Sequence, residues 1–285
     1  MEPVTPYRNQ RAAALPARLS RSVLLVGASD PAVFPAALAS EADSVIFDIE
    51  DGLPEEQKAQ GRADVATALG QGAAAWVRIN DITSEHWQDD LEALAGAPNL
   101  RGLMLAKTES PDHITRTAMM MPAGTPVIAL IESAVGIMNA NDIARAPGVF
   151  RLAFGVGDFR RDTGASADPM ALAFARSALV VASRVGYLPG PIDGPTPGAE
   201  DAAVAEACRV TQSMGMTGKL TLNPDQAEII NRGLAPSAEE IAWAKELLEG
   251  YDSGHAGTMD GSYLPRLARA RKVSELAETY GLWNR

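Results

Sequence analysis

The sequence predicts a (β/α)8 barrel with a C-terminal helical extension, on two observations. Eight short apolar runs rich in Val, Ile and Leu alternate with longer helix-like segments, and the runs are continuous, as in a parallel sheet covered on both faces. Charged or amide residues follow many different runs, which suits a barrel mouth better than the one switch point of the structural alternative, an open doubly wound sheet.

In chain order, the first strand is expected at Val23–Val26 and a helix at Ala32–Ser40. Gly27-Ala28-Ser29 between them lacks the third glycine of a dinucleotide fingerprint, so NAD binding is not supported. Strands follow at Ser44–Asp48, Ala75–Ile79, Gly102–Ala106, Val127–Ile131, Arg151–Phe154, Gly190–Asp193 and Lys219–Leu222. Helical segments fill the gaps at Glu55–Leu69, Glu85–Ala95, Pro111–Met121, Ala134–Ala146, Pro169–Val185 and Ala202–Met214. Beyond the last strand, Pro236–Glu249 forms a helix with Trp243, Leu247 and Leu248 on one face, and Pro265–Tyr280 another after a Gly-, Ser- and Asp-containing break. The expected division is an N-terminal extension over 1–20, a catalytic barrel over 21–235 and a helical extension over 236–285, a candidate lid over a neighbouring subunit.

Composition narrows the function. A net charge of −11 argues against nucleic acid, which is bound by clustered Lys and Arg. No apolar stretch approaches the ~20 residues of a membrane span, and the basic, Pro-broken N-terminus has no signal-peptide h-region, so a cytoplasmic location is expected. Cys208 is the one cysteine, read as part of a buried helix face, and the three histidines, His86, His113 and His255, are not spaced as paired ligands. Any metal is therefore expected to be a hard cation held by oxygen.

The strand ends supply the candidates. In a barrel, Asp48, Glu50, Asp51, Arg78, Asn80, Lys107, Glu132, Asp158, Asp193 and Asn223 are all expected to ring one mouth. Facing carboxylates repel unless a cation bridges them, and Mg²⁺ typically takes one or two, here Glu132 and Asp158, while keeping positions for water and substrate. Arg78 offers a planar fork matched to a substrate carboxylate, Lys107 a further cation, and the Gly155-Val156-Gly157 run backbone N–H groups for the same carboxylate. Each has a structural alternative: Glu132 as a residue near a helix N-terminus, Asp158 as a turn residue, and Arg78 with Asp48–Asp51 as an ion-pair network.

These residues sit in stretches that resemble the HpcH/HpaI aldolase and citrate lyase beta-subunit-like family of acyl-CoA ester lyases. The matching stretches are Arg21–Gly27, Val45–Gly52, Gln57–Arg62, Val77–Asn80, Ala106–Ser110, Leu130–Ala134, Phe154–Phe159, Gly218–Gln226, and Pro236-Ser237 through Trp243-Ala244. The resemblance implies that Glu132 and Asp158 bind Mg²⁺, that Arg78 holds the substrate carboxylate, and that Glu50 and Asp51 support the metal waters. It implies further that Arg21 and Lys58 contact CoA phosphates or the entrance, and that the chain forms a homotrimer or homohexamer in which one subunit's C-terminal segment covers its neighbour's site. The chain departs from the family pattern at Val26 and Ala106, where prolines are usual, and at Gly257–Pro265, where the stretch carrying the acid/base aspartate is shortened and shifted. Asp260 is the candidate for that role.

What the resemblance implies chemically is a Mg²⁺-dependent carbon–carbon lyase, interconverting a 3-hydroxyacyl-CoA such as malyl-CoA or citramalyl-CoA with an acyl-CoA and a 2-keto acid. A malyl-CoA-type thioesterase, a CoA-independent keto-acid aldolase, and a citrate-lyase-beta-like subunit needing an acyl-carrier partner remain alternatives.

Overall fold

In the computed structural model, which describes residues 9–252 and 261–284, eight strands run in parallel around a closed barrel. They are β1 (Ser22–Gly27), β2 (Ser44–Asp48), β3 (Ala75–Ile79), β4 (Leu100–Leu105), β5 (Val127–Ile131), β6 (Val149–Phe154), β7 (Ile192–Asp193) and β8 (Gly218–Thr221). Each pairs with the next, and β8 pairs with β1 to close the ring. The helices are α1 (Gln10–Ala14), α2 (Phe34–Ala39), α3 (Lys58–Gly70), α4 (Trp87–Leu94), α5 (Pro111–Met119), α6 (Ala134–Met138), α7 (Ala140–Ile143), α8 (Val156–Thr163), α9 (Ala173–Val185), α10 (Asp201–Ser213), α11 (Ala227–Gly233), α12 (Ala238–Asp252) and α13 (Tyr263–Thr279).

Side chains alternate across each strand, so one parity faces the barrel axis and the other the helices. The axial set, Val23, Ile46, Trp76, Met104, Ile128, Ala153, Ile192 and Leu220, takes one residue from every strand and fills the interior. The opposite parity, including Leu24, Phe47, Val77, Leu103, Ala129 and Phe154, joins the helix faces in a larger core. Below the axial set, Arg151 is 1% exposed and donates to the carbonyls of Gly190 and Ser20 and to Thr217 Oγ1, a cation embedded in backbone acceptors.

Two helices differ from expectation. The helix expected over Ala134–Ala146 is broken into α6 and α7 at Asn139, whose side chain donates to Glu109 O at 2.8 Å and ties the break to the loop after β4. The Gly155-Val156-Gly157 run, expected to offer backbone N–H groups, lies at and inside the start of α8, a helix not expected there, with Gly155 as its N-cap.

The chain divides into two compact units between Leu234 and Ala235. Within the second, α12 and α13 pack through Ile241, Ala244, Ala270, Val273 and Ala277, with Trp243, Leu247 and Leu248 against them. No helix among the described residues is long and apolar enough to cross a membrane.

Candidate active site

Strand parity sets the site. Asp48 and Arg78 continue the axial parity of Ile46 and Trp76 and face each other in register. Arg78 Nε and Nη2 donate to Asp48 Oδ1 and Oδ2 at 2.7 and 2.6 Å, a bidentate pair, and Arg78 Nη1 lies 3.2 Å from Glu50 Oε2. Glu50 is placed by its own N–H, which donates to Asp48 Oδ1, and its Oε1 takes Lys107 Nζ at 2.5 Å. Asp51 lies at the rim, 3.9 Å from the same ammonium. The centre of this network is nearly dry, Asp48, Glu50 and Arg78 being 3%, 3% and 8% exposed, while Asp51 is exposed.

Lys107 adopts a left-handed backbone, φ 46°, rare for a residue with a Cβ. That turn aims its N–H at Glu132 Oε1, 2.7 Å away, while its side chain reaches Glu50. Glu132 follows β5 with axial parity, is 4% exposed, and has no hydrogen-bond partner at Oε2 among the described residues. Room for this carboxylate comes from Gly155, where a Cβ would lie 2.3 Å from Oε2. Asp158, in the first turn of α8, is paired with Arg161 at 2.5 Å.

Glu132 and Asp158 line one cavity of about 350 Å³ with Asp81, Thr83, Lys107, Glu109, His113, Ser133, Arg161 and Asp162, so every lining residue carries a polar or charged side chain. Its charges are unbalanced. Burial raises the Glu132 carboxyl, the nearby charges of Asp158 and Glu50 push the same way, and the group reaches about 8 despite the Lys107 amide and Arg78. Burial also raises Glu50, but Arg78 and Lys107 outweigh it and hold Glu50 below the usual carboxylate range. Arg78 is likewise disfavoured by burial yet raised overall, chiefly by its hydrogen bonds to Asp48. Negative charge is thus compensated at Glu50 and under-compensated at Glu132. A cation held by carboxylate oxygens fits that deficit, and among the described residues no third carboxylate or imidazole closes on Glu132 and Asp158, which leaves open positions for water and substrate.

The structure therefore gathers Asp48, Glu50, Asp51, Arg78, Lys107, Glu132 and Asp158, with Gly157 exposed in the first turn of α8. Other expected members lie elsewhere. Arg21 precedes β1 at the opposite end of the barrel, bound to Asp43 by its backbone N–H and its guanidinium, a place from which it does not reach the mouth. Lys58 is 8% exposed and donates to Glu50 O and Asn80 Oδ1, so its ammonium is a strut behind the site rather than a phosphate contact. Asn80 passes that strut on to Asp90 and Ile49 O. Asp193 has the opposite parity and points into the helix layer, where it takes Arg176 Nε and Thr211 Oγ1. Asn223 caps the turn after β8, accepting from Asp225 N. Asp260 and His255 lie outside the described residues.

The Arg78 fork, expected to meet a substrate carboxylate, is occupied by Asp48 and Glu50 in this structure. Glu109, His113, Ser133, Arg161 and Asp162 were not expected at the mouth. The signal for them was placement, because in a barrel the first turn of each helix after a strand opens onto the same face as the strand end.

A closed parallel barrel whose strand ends present a buried Glu132 and a half-buried Asp158 in a cavity lined by polar and charged residues is an enzyme scaffold suited to an oxygen-held cation. The chain belongs to the HpcH/HpaI aldolase/citrate lyase family, whose model matches residues 21–224, and the model of the HpcH/HpaI aldolase C-terminal domain matches 239–281. The protein is thus an enzyme of a lyase family. It is 30% identical to citrate lyase subunit beta of Haemophilus influenzae, over 81% of this chain and 85% of that protein. It is 28% identical to a (3S)-malyl-CoA thioesterase of Cereibacter sphaeroides, over 90% of this chain and 94% of the other. Among solved structures, CitE from Mycobacterium tuberculosis in complex with magnesium, acetoacetate and coenzyme A matches with a TM-score of 0.78 at 27% identity, covering 92% of this chain and 99% of that one.

Proposed function

We propose that the protein catalyses Mg²⁺-dependent, reversible Claisen cleavage of a short 3-hydroxyacyl-CoA, of the malyl-CoA or citramalyl-CoA kind, into an acyl-CoA and a 2-keto acid. The observation that carries the reading is the under-compensated Glu132 beside Asp158 in a cavity lined by polar and charged residues. Support also comes from the magnesium, acetoacetate and coenzyme A bound in the Mycobacterium tuberculosis relative.

In this reading Glu132 and Asp158 hold the ion, Gly155 gives Glu132 room, and the Lys107 N–H orients Glu132. A bound Mg²⁺ supplies a Lewis acid for the keto oxygen. Arg78 acts through Asp48 and Glu50, holding both in place; Glu50 and Asp51 would support metal-bound waters, and Lys107 and the Gly157 N–H would meet the keto-acid carboxylate. Asp260 is retained as the proton-transfer candidate. The protein is read as a homotrimer or homohexamer, which light scattering checks.

A second reading, hydrolysis of the malyl-CoA thioester, is favoured by the likeness to the malyl-CoA thioesterase. Acetyl-CoA plus glyoxylate, and thiol release from malyl-CoA, each assayed with Mg²⁺ and with EDTA, separate the two. Condensation without thiol release supports the lyase, and thiol release alone the thioesterase. No turnover with free CoA esters points to a subunit that needs an acyl carrier.

A further inference from the structure

Cleavage by this route sends the C2–C3 bonding pair onto the thioester, where it becomes the enolate of the acyl-CoA. The 3-hydroxyl loses a proton as its carbon becomes the keto carbon, and one proton is returned to C2, so none is consumed overall. The enolate oxygen needs a hydrogen-bond donor of its own, separate from the groups that hold the keto acid. None of the groups assigned above is given to it.

His113 meets the requirements. It lies in the first turn of α5, directly after β4, and lines the same cavity as Glu132, Asp158 and Lys107. The backbone N–H of Glu109 donates to its Nδ1 at 3.4 Å. An N–H aimed at Nδ1 makes that nitrogen the acceptor and leaves Nε2 as the donor, which has no hydrogen-bond partner among the described residues. Glu109 is fixed in turn, its Oε1 accepting from Ser133 Oγ at 2.5 Å and its carbonyl from Asn139 Nδ2 at 2.8 Å. The result is a ring held at Nδ1 by a fixed backbone, with Nε2 left to donate.

We propose that His113 is a catalytic residue of this chain, donating the Nε2–H hydrogen bond to the thioester carbonyl oxygen as it becomes the enolate. The assignment rests on the Claisen reading above and adds to it the group that stabilises the acyl-CoA half of the reaction. The break at Asn139 and the Ser133–Glu109 bond acquire a purpose, since both hold the backbone that orients this ring.

The test is steady-state kinetics of malyl-CoA cleavage by wild type, H113L and H113Q with Mg²⁺. It is joined by deuterium uptake from D2O into the methyl group of acetyl-CoA, and by calorimetric binding of the pyruvate-enolate mimic oxalate with Mg²⁺. Loss of one donor of this kind costs about 10²–10³ in kcat. H113L is expected to fall by that factor in kcat and in deuterium uptake, with oxalate affinity within threefold of wild type. H113Q, which keeps an N–H, is expected to recover at least tenfold over H113L. Turnover by H113L within threefold of wild type, or a loss confined to oxalate binding, would overturn the role of His113 while leaving the Claisen reading standing. Absence of turnover in wild type itself, in either the cleavage or the exchange assay, would sink the Claisen reading and this assignment with it.

Discussion

Glu132→Gln isolates the charge imbalance at the heart of the site. In the metal-free protein the Glu132 carboxyl is raised from 4.5 to about 8, chiefly by burial. A carboxyl whose folded-state pKa lies above its unfolded value favours folding fully below the unfolded pKa, and that contribution is lost as pH rises through the folded one. Wild type should therefore lose stability between about pH 4.5 and pH 8, and the gap between those values corresponds to at most about 5 kcal/mol. Relaxation around the carboxylate lowers what is measured, and we expect about 2–4 kcal/mol. Glutamine has the shape of the protonated acid and no charge. In EDTA, urea unfolding should find E132Q equal to wild type near pH 4.5 and more stable by that amount at pH 8.5. Millimolar Mg²⁺ should reverse the order, because wild type gains the ligand's binding free energy and the variant does not. Calorimetry at pH 7 should also show about 0.9 proton released per Mg²⁺ bound to wild type, the fraction protonated for a group at about 8. Metal-free E132Q melting at or below wild type at pH 8.5, or binding without proton release, refutes the account of Glu132 as an under-compensated ligand.

Gly155→Ala places a methyl 2.3 Å from Glu132 Oε2 and should lower Mg²⁺ affinity at least tenfold with an unchanged circular dichroism spectrum; equal affinity would show that Glu132 needs no such room. Arg78→Met strands Asp48 and Glu50, 3% exposed each, and should cost about 3–5 kcal/mol in urea unfolding, while adding Asp48→Asn should recover at least 1 kcal/mol of it. Arg21→Met breaks the pair with buried Asp43 at the far end of the barrel and should lower the unfolding midpoint with KM for the CoA ester within twofold of wild type; a tenfold rise in KM would return Arg21 to the substrate.

Much of this site was legible before any coordinates. Alternation along a strand puts Asp48, Arg78 and Glu132 on the axial side once that parity is known, but continuous apolar runs do not say which parity it is, and closure decides it. The same rule applied to Ile192-Asp193 would have sent Asp193 outward, but a two-residue strand is too short for its parity to be read without knowing its neighbours. Cys208 was readable as a buried helix residue from its apolar flanks, and it is 0% exposed in α10.

Chain order and the period of apolar residues therefore specify the barrel and the strand ends that carry charge, since both are local patterns repeated eight times. Which charges meet which is a property of closure alone. Lys107 pairs with Glu50, 57 positions away, and not with Glu109 two positions along, because a left-handed turn at Lys107 aims its N–H at one acid and its side chain at another. Arg21 and Lys58 look alike in sequence to surface cations and are buried by partners from other strands and loops. Pairing across a closed sheet depends on register, tilt and the burial that sets each charge's energy, quantities that exist only once the ring has formed.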